Sequence, residues 1–280
     1  MTRVALPNKG GLFDPTIELL ASCGYTVSRS SASLTTLDPD NNIEFYFLRP
    51  GDIPVYVANG ILDAGITGKD FVAEKQLEPN LLLDLNYGGS RLCAAVPVES
   101  PAQSLDDLRG IRIATSFPTL VQHALGHDDV DLVELEGAVE IAVQLGIAEA
   151  VVDVVDTGTT LRQAGLRVIE PPLFRSNAVL YSHPGRPEPD EVAILKSRIE
   201  GRLVAYNFMM VEYDVPAAIL AEASKITPGL ESPTVAPLQA EGWYSVKAMI
   251  RKREAHHIMD QLSKLGCKGI LLTRIESARI

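Results

Sequence analysis

Residues 150–161 read Ala-Val-Val-Asp-Val-Val-Asp-Thr-Gly-Thr-Thr-Leu, and this run constrains the fold more than any other. Val151 to Val155 are dense in β-branching and do not alternate with polar residues, the pattern of a short strand buried on both faces of a covered, mostly parallel sheet. The run breaks at Thr157-Gly158-Thr159-Thr160, and Leu161-Arg162-Gln163-Ala164 then begin a helix that Gly165 closes. Strand, glycine turn and helix start make an anion cradle. Successive amides point one way, the threonine hydroxyls join them, and the helix dipole adds to both.

The turn lacks the Gly-x-x-x-x-Gly-Lys-Ser/Thr spacing of a P-loop, so a monophosphate is the expected anion. Asp153 and Asp156 would repel a bare phosphate. They suit the hydroxyls of a ribose, or a Mg²⁺ held by a diphosphate. Acids for a ribose beside small residues for its 5′-phosphate resemble the phosphoribosyl-diphosphate (PRPP) loop of phosphoribosyltransferases.

Composition narrows the partners. The 36 acids outnumber 25 bases, for a net charge of −11, which argues against a nucleic-acid-binding face. Phosphorylated small molecules remain open, because a few local bases and Mg²⁺ offset the field. Cys23, Cys93 and Cys267 are far apart and lack metal spacing, as expected of reduced residues in a cytoplasmic protein. Met1 to Pro7 enter a strand at once, with no signal-peptide pattern, and no apolar run is long enough to span a bilayer.

Along the chain, strand and helix alternate. Val4–Leu6 is a strand, Asp14-Pro15 open a helix with Pro15 at its first position, and Gly24 suits its end. Ile43–Leu48 is a strand, and Asp52 caps the helix to Ala58. Lys9, Arg49 and Asp70 each fall just past a strand end, where an open α/β sheet binds ligands. Asn86–Arg91 reads as a hinge between lobes. Gly137-Ala138-Val139-Glu140 opens a helix with Val139, Ala142, Val143 and Leu145 at helical spacing. Leu173–Tyr181 is a returning strand, and Asp190 caps a helix. From Phe208 the order becomes βαββαβ, a ferredoxin-like module, with Tyr244, Val246, Ala248 and Ile250 alternating onto one face.

Several motifs stand in order: Leu6-Pro7-Asn8-Lys9-Gly10, Phe47-Leu48-Arg49-Pro50, Asp63–Asp70, Arg112–Thr115, Gly137–Glu140, the Thr157–Thr160 loop and Ile226–Thr234. Together, across essentially the whole chain, they resemble the long form of ATP phosphoribosyltransferase, the first enzyme of histidine biosynthesis. The resemblance implies a two-lobed α/β catalytic unit of the type II periplasmic-binding-protein kind. Lobe I would hold 1–90 with a returning segment 180–206, and lobe II 91–179 with the PRPP loop. The ferredoxin-like (ACT-like) domain, 207–280, would bind L-histidine as inhibitor. It implies a cytoplasmic homodimer or homohexamer that joins ATP to PRPP with Mg²⁺ carried mainly by the substrates, without a covalent nucleophile.

By the same resemblance, Thr157, Gly158, Thr159 and Thr160 hold the PRPP 5′-phosphate, and Asp153, with Asp156, meets the ribose side. Glu140 assists there or approaches Mg²⁺. Lys9 and Arg49 screen the phosphates of ATP or the leaving diphosphate, while Asp70 and Thr115 belong to the nucleotide site. Asp214 pairs with the histidine ammonium, Leu230, Ser232 and Thr234 line that pocket, and the loop before Gly269 closes it. Two positions depart from many relatives. Thr119 stands where they carry Asn, and Thr159 where some carry Arg, which removes a bidentate partner for the phosphate.

Overall fold

Thr2–Pro7 forms β1, buried at every position but Arg3, and strands pair on both sides of it. The computed structural model describes residues 1–28, 33–126, 130–155 and 158–280, and the chain divides into two units, 1–196 and 197–280.

The first unit holds two sheets built to one plan. After β1 come α1 (Phe13–Ser22), β2 (Thr35–Asp38), β3 (Ile43–Leu48), α2 (Ile53–Ala58), β4 (Ala64–Gly68), α3 (Lys69–Glu74) and β5 (Asn80–Asp84). The second lobe follows with β6 (Ser90–Pro97), β7 (Arg112–Thr115), α4 (Pro118–Leu125), β8 (Asp131–Glu134), β9 (Ala150–Val155), α5 (Thr159–Gln163) and β10 (Leu166–Ser176). β11 (Ala178–Ser182) and α6 (Asp190–Asn207) come next. The sheet orders are β2-β3-β1-β4-β11-β5 and β10-β6-β9-β7-β8. In each, three parallel strands (β3-β1-β4 and β8-β7-β9) meet an antiparallel strand that has crossed from the other lobe, β11 in one and β6 in the other. The chain therefore crosses twice, and the crossings are tied together. The Ala178 amide donates to the Tyr87 carbonyl at 2.9 Å, and the Leu85 amide to the Ala178 carbonyl at 3.0 Å. Asp84 accepts from Lys69 Nζ at 3.0 Å and from the Asn177 side chain.

β9 explains why its sequence is apolar on both sides. Val152 joins a core with Leu92, Ile113 and Val121, while Val151 and Val155 join a second core with Cys93, Leu161 and Leu166 on the opposite face. Val154 departs from the expected two-sided burial. It is 37% exposed because β9 ends at the edge of a cavity.

Other expectations shift locally. The first helix starts at Phe13, since the Phe13 amide donates to the carbonyl of Gly10, a residue at φ +79°; Pro15 thus sits third, where its missing N–H costs nothing. Asp52 stands at the N-cap of α2 without a side-chain bond to it. The expected helix after Gly137 is only a 3-10 turn, Val139–Ile141, entered through Ala138 in the left-handed region at φ +52°. Leu145 is 68% exposed, so helical spacing misled there. The returning strand is two strands: β10 pairs with β6, and after Asn177 β11 pairs with β4 and β5.

The unit boundary falls inside α6 rather than after it. Within the second unit the Ala278 amide donates to the Gly201 carbonyl at 3.1 Å, and Arg202 Nη1 to the Glu276 carbonyl at 2.9 Å. This unit runs β12 (Phe208–Pro216), α7 (Leu220–Ile226), β13 (Thr234–Pro237), β14 (Trp243–Arg251), α8 (Ala255–Leu265) and β15 (Lys268–Arg274). Its antiparallel sheet has the order β13-β14-β12-β15, the ferredoxin-like order. Val246, Ala248 and Ile250 face inward as the alternation requires, against Ile258 and Leu262 of α8.

A buried polar pair pins α7 to this sheet. Tyr213 Oη and Thr227 Oγ1 are 2.8 Å apart, and both residues are essentially inaccessible. Thr227→Val is expected to cost roughly 1–3 kcal/mol in urea unfolding, because the Tyr213 hydroxyl stays buried without its partner. Adding Tyr213→Phe should cost less than the sum of the two single changes. Strict additivity would show that the pair is not an energetic unit.

Candidate active site

β3, β1 and β4 are parallel neighbours, with Pro7 opposite Leu48 and Ala5 opposite Gly65. That register makes Lys9, Arg49 and Asp70 leave three adjacent strand ends. The Asn8 amide donates to the Leu48 carbonyl at 2.8 Å and holds the first two loops side by side. Lys9 and Arg49 are exposed. Gly11 and Leu12, just beyond Lys9, wall a cavity of about 550 Å³ between the lobes.

Asp70 reaches that cavity and is only 5% exposed. Its Oδ1 accepts from the Phe71 amide at 2.9 Å, and its own amide donates to Ser176 Oγ at 3.1 Å. Burial raises its pKa, and the hydrogen bonds only partly oppose the shift. Gly68 makes this placement possible, because a side chain there would run into the Asp70 carboxylate.

Across the cavity stand Ser116, Phe117, Glu136, Asp153 and Val154 of the second lobe. Thr115 lies behind them. It is fully buried, and its Oγ1 accepts from the Phe117 amide at 3.0 Å, so it shapes this loop rather than facing a ligand. Phe71 and Phe117 meet from opposite lobes at 5.5 Å between ring centroids.

Asp153 belongs to two spaces at once. It walls the cleft and also a second cavity of about 370 Å³ lined by Glu140, Val155, Gly158, Thr160 and Leu161. The glycine turn and the acid are thus one continuous surface with the cleft between the lobes. Gly158 is the N-cap of α5 at φ +71°, a conformation that favours glycine. Asp153 Oδ1 accepts from the Val154 amide at 2.7 Å, and no described cation forms a salt bridge with it. Its pKa is pushed up to about 6, chiefly by burial, with the Glu140 charge adding to the rise. Asp156 and Thr157 lie outside the described residues.

In the second unit, Asp214 and Gly269 come together on β12 and β15. A Cβ on Gly269, at φ +57°, would stand 3.4 Å from Asp214 Oδ2. Leu230, Ser232 and Thr234 are exposed, Thr234 on the edge strand β13.

Sequence reasoning did not single out Glu74, Glu136, Ser90 or Ser176 for the site. Ser90 and Ser176 flank the two crossings and pair with each other across β6 and β10, so only the topology brings them to the cleft.

Two pseudo-equivalent lobes around a cleft, each receiving a strand from the other, define a two-lobed α/β catalytic unit of the type II periplasmic-binding-protein kind, followed by a ferredoxin-like module. The family model described as ATP phosphoribosyltransferase matches residues 49–201, and the model of that family's C-terminal domain matches residues 205–277. The chain is 42% identical over its full length to the full-length ATP phosphoribosyltransferase of Kocuria rhizophila. It is 44% identical to that of Corynebacterium kroppenstedtii, covering 100% of this chain and 99% of the relative. A solved ATP phosphoribosyl transferase (HisG:HisZ) complex from Thermotoga maritima aligns with a TM-score of 0.63 at 25% identity, over 74% of this chain and 100% of that one. The chain belongs to the ATP phosphoribosyltransferase family, and it is a transferase of histidine biosynthesis acting on small-molecule substrates.

Proposed function

We propose that the chain condenses ATP with PRPP to give 1-(5-phosphoribosyl)-ATP and diphosphate, and that L-histidine inhibits it through the second unit. The observation that carries the reading is the continuity of the Gly158–Thr160 turn, through Asp153, with the cleft between the lobes. A ribose with its 5′-phosphate at the turn would present C1 toward the cleft, where N1 of the adenine attacks. The N1–C1 bond forms as the C1–O bond breaks, and the electron pair leaves with the diphosphate.

The chain's part is positioning and charge. The turn amides and the Thr159 and Thr160 hydroxyls take the 5′-phosphate, with Asp156 and Thr157 completing that loop. Asp153 accepts from the ribose hydroxyls and favours the cationic character that develops at C1. Lys9 and Arg49, on adjacent strand ends, meet the phosphates of ATP or the leaving diphosphate. Asp70 contacts the nucleotide, and Thr115 acts through the Phe117 loop. Mg²⁺ comes with the substrates and screens the diphosphate charge; Glu140 and Asp153 are the carboxylates of the loop cavity available to it. No group of three described His, Cys, Asp or Glu side chains forms a separate ion site. Asp214 and Gly269 frame the proposed histidine site, with Leu230, Ser232 and Thr234 beside it.

A cytoplasmic homodimer or homohexamer is the proposed working form. Among the described residues no helix is long and apolar enough to cross a membrane.

The test is turnover of ATP and PRPP with Mg²⁺ and a pyrophosphatase, with and without L-histidine. Product that falls when histidine is added is the expected result. Product insensitive to histidine would remove the regulatory assignment of Asp214, and no product would remove the catalytic one.

A further inference from the structure

The two crossings fix where the lobes can turn. On the side of the first lobe, the Ala178 amide is bound to the Tyr87 carbonyl at 2.9 Å. On the side of the second, Ser90 pairs with Ser176. Between these ties lie Gly88 and Gly89 on one strand and Asn177 on the other. Asn177 is held, since its carbonyl accepts from the Lys69 amide at 3.0 Å and its side chain bonds Asp84. The freedom to bend therefore falls on the two glycines, and Gly88 already stands at φ +64°.

The start of α1 is built against that pivot. A Cβ on Gly88 would run into Leu12 Cδ2, so Leu12 rests directly on the Gly88 backbone. The Leu12 carbonyl accepts from Thr16 Oγ1 at 2.6 Å, which uses the only hydroxyl proton of Thr16. Tyr87 Oη, 2.6 Å from Thr16 Oγ1, is then the donor of the second bond. The result is a directed relay from the Tyr87 hydroxyl to the Thr16 hydroxyl to the Leu12 carbonyl. Thr16 is fully buried. Burial pushes the Tyr87 pKa up to about 12, so its hydroxyl keeps its proton and stays a donor through the neutral range.

The loop of Lys9, Gly10 and Gly11 is thereby fastened at both ends. Before it, the Asn8 amide donates to the Leu48 carbonyl at 2.8 Å. After it, Leu12 is clamped to the pivot. A Cβ on Gly10 or Gly11 would meet nothing within 4 Å, so packing does not set the path of this loop and its two ends do.

We infer that Tyr87 is a positioning residue for the polyphosphate held by the Lys9 loop: through Thr16 it clamps Leu12 onto the pivot and so fixes the path of that loop where the lobes close. The inference rests on the assignment of Lys9 to the phosphates of ATP or to the leaving diphosphate, and adds to it what aims the loop. A fastened loop is already ordered when the polyphosphate arrives, whereas a loose one must be ordered by the ligand, at a cost in affinity. The glycine turn of the second lobe lies outside the relay, so a ligand without a polyphosphate should not feel it.

The experiment compares wild type, Tyr87→Phe, Thr16→Val and the double variant. It measures KM for ATP and for PRPP, inhibition by inorganic diphosphate and by ribose 5-phosphate, melting temperature, and hydrogen–deuterium exchange of residues 9–12 in the free protein. Tyr87→Phe is expected to speed that exchange and to weaken polyphosphate binding roughly fivefold, the net contribution of one hydrogen bond. A rise in the ATP KM alone would put the ATP phosphates on the loop. A joint rise in the PRPP KM and the diphosphate inhibition constant would put the leaving group there, and either result supports the inference. Ribose 5-phosphate inhibition should hold in both cases. The double variant should be no worse than the worse single one, because both changes break the same relay. A lower melting temperature with every constant unchanged would overturn the inference, making the relay structural only. Equal losses for all four ligands would also overturn it, placing Tyr87 in lobe closure as a whole, and so would unchanged exchange at residues 9–12. Wild-type protein that gives no product from ATP and PRPP would overturn the proposed reaction and the ligand named here; faster exchange in Tyr87→Phe would still support the tie between loop and hinge.

Discussion

Asp153→Asn should make the protein more stable and, in the same step, reduce turnover by roughly 100-fold or more. Both effects follow from one buried charge. The Asp153 carboxylate is pushed from 3.8 up to about 6, first by burial and further by the Glu140 charge, with the Val154 amide bond opposing. A raised carboxylate pKa means that, between about pH 4 and pH 6, the native state binds more protons than the unfolded chain. Stability therefore falls as pH rises through that window and stays lowered above it. The shift converts to about 3 kcal/mol at 1.36 kcal/mol per unit, as an upper figure. The substituted carboxamide would keep an oxygen for the Val154 N–H and remove the charge. The variant should melt several degrees higher than wild type at pH 8, and the gap should close toward pH 4.5. Thermal melts at the two pH values, alongside kcat, check this. A melting difference of the same size at both would show that the charge is not its source. In the proposed reaction that cost has a use, since a carboxylate beside the glycine turn suits ribose hydroxyls and the charge developing at C1.

Much of this is legible without coordinates. The β-branched run of β9, the glycine turn after it and the alternation in β14 each report a local rule, and the fold obeys them. The parts that are not legible depend on contacts distant in sequence. Leu166–Leu173 carries Glu170-Pro171-Pro172, which interrupts any strand pattern, yet β10 pairs with β6 on either side of that irregularity. β2 is only four residues long and lies at the sheet edge beside β3, too short to show a period. Thr115 follows a strand, as a residue of the nucleotide site would, but it is fully buried, with its hydroxyl oxygen accepting from the Phe117 amide. The helical spacing after Gly137 is real, yet only a 3-10 turn, Val139–Ile141, forms there. Glu74 carries no motif at all, since its partners lie on a helix of the other lobe.

Those partners make Glu74→Ala the second large effect. α4 begins at Pro118, and its first free amides would normally look to a side chain nearby in sequence. Phe117 stands at the N-cap without a side-chain bond. Instead, Glu74 at the end of α3 accepts from the Thr119 amide at 2.9 Å with Oε1 and from the Leu120 amide at 3.0 Å with Oε2. A carboxylate of one lobe thus caps a helix of the other, next to the Phe71–Phe117 contact that also spans the cleft. The helix dipole favours the anion at that end. The bonds exist only while the lobes are together, so they bias the hinge toward closure rather than stabilising either lobe alone. Loss of both should shift the balance by about 2 kcal/mol, at the level of a helix cap bonded to a charge. A shift of that size is roughly 30-fold in the population that can close on substrate. Both KM values should rise by about that factor, because each substrate must then do the closing work, while kcat at saturation stays within about twofold. Solution scattering should show a larger radius of gyration for the free variant and a larger contraction on adding ATP and PRPP. Glu74→Gln, which keeps one acceptor without the charge, should fall between. A variant whose radius matches wild type with unchanged KM values would mean that Phe71 and Phe117 hold the lobes without the carboxylate. A fall in kcat with constant KM would place Glu74 in the chemistry instead of the closure.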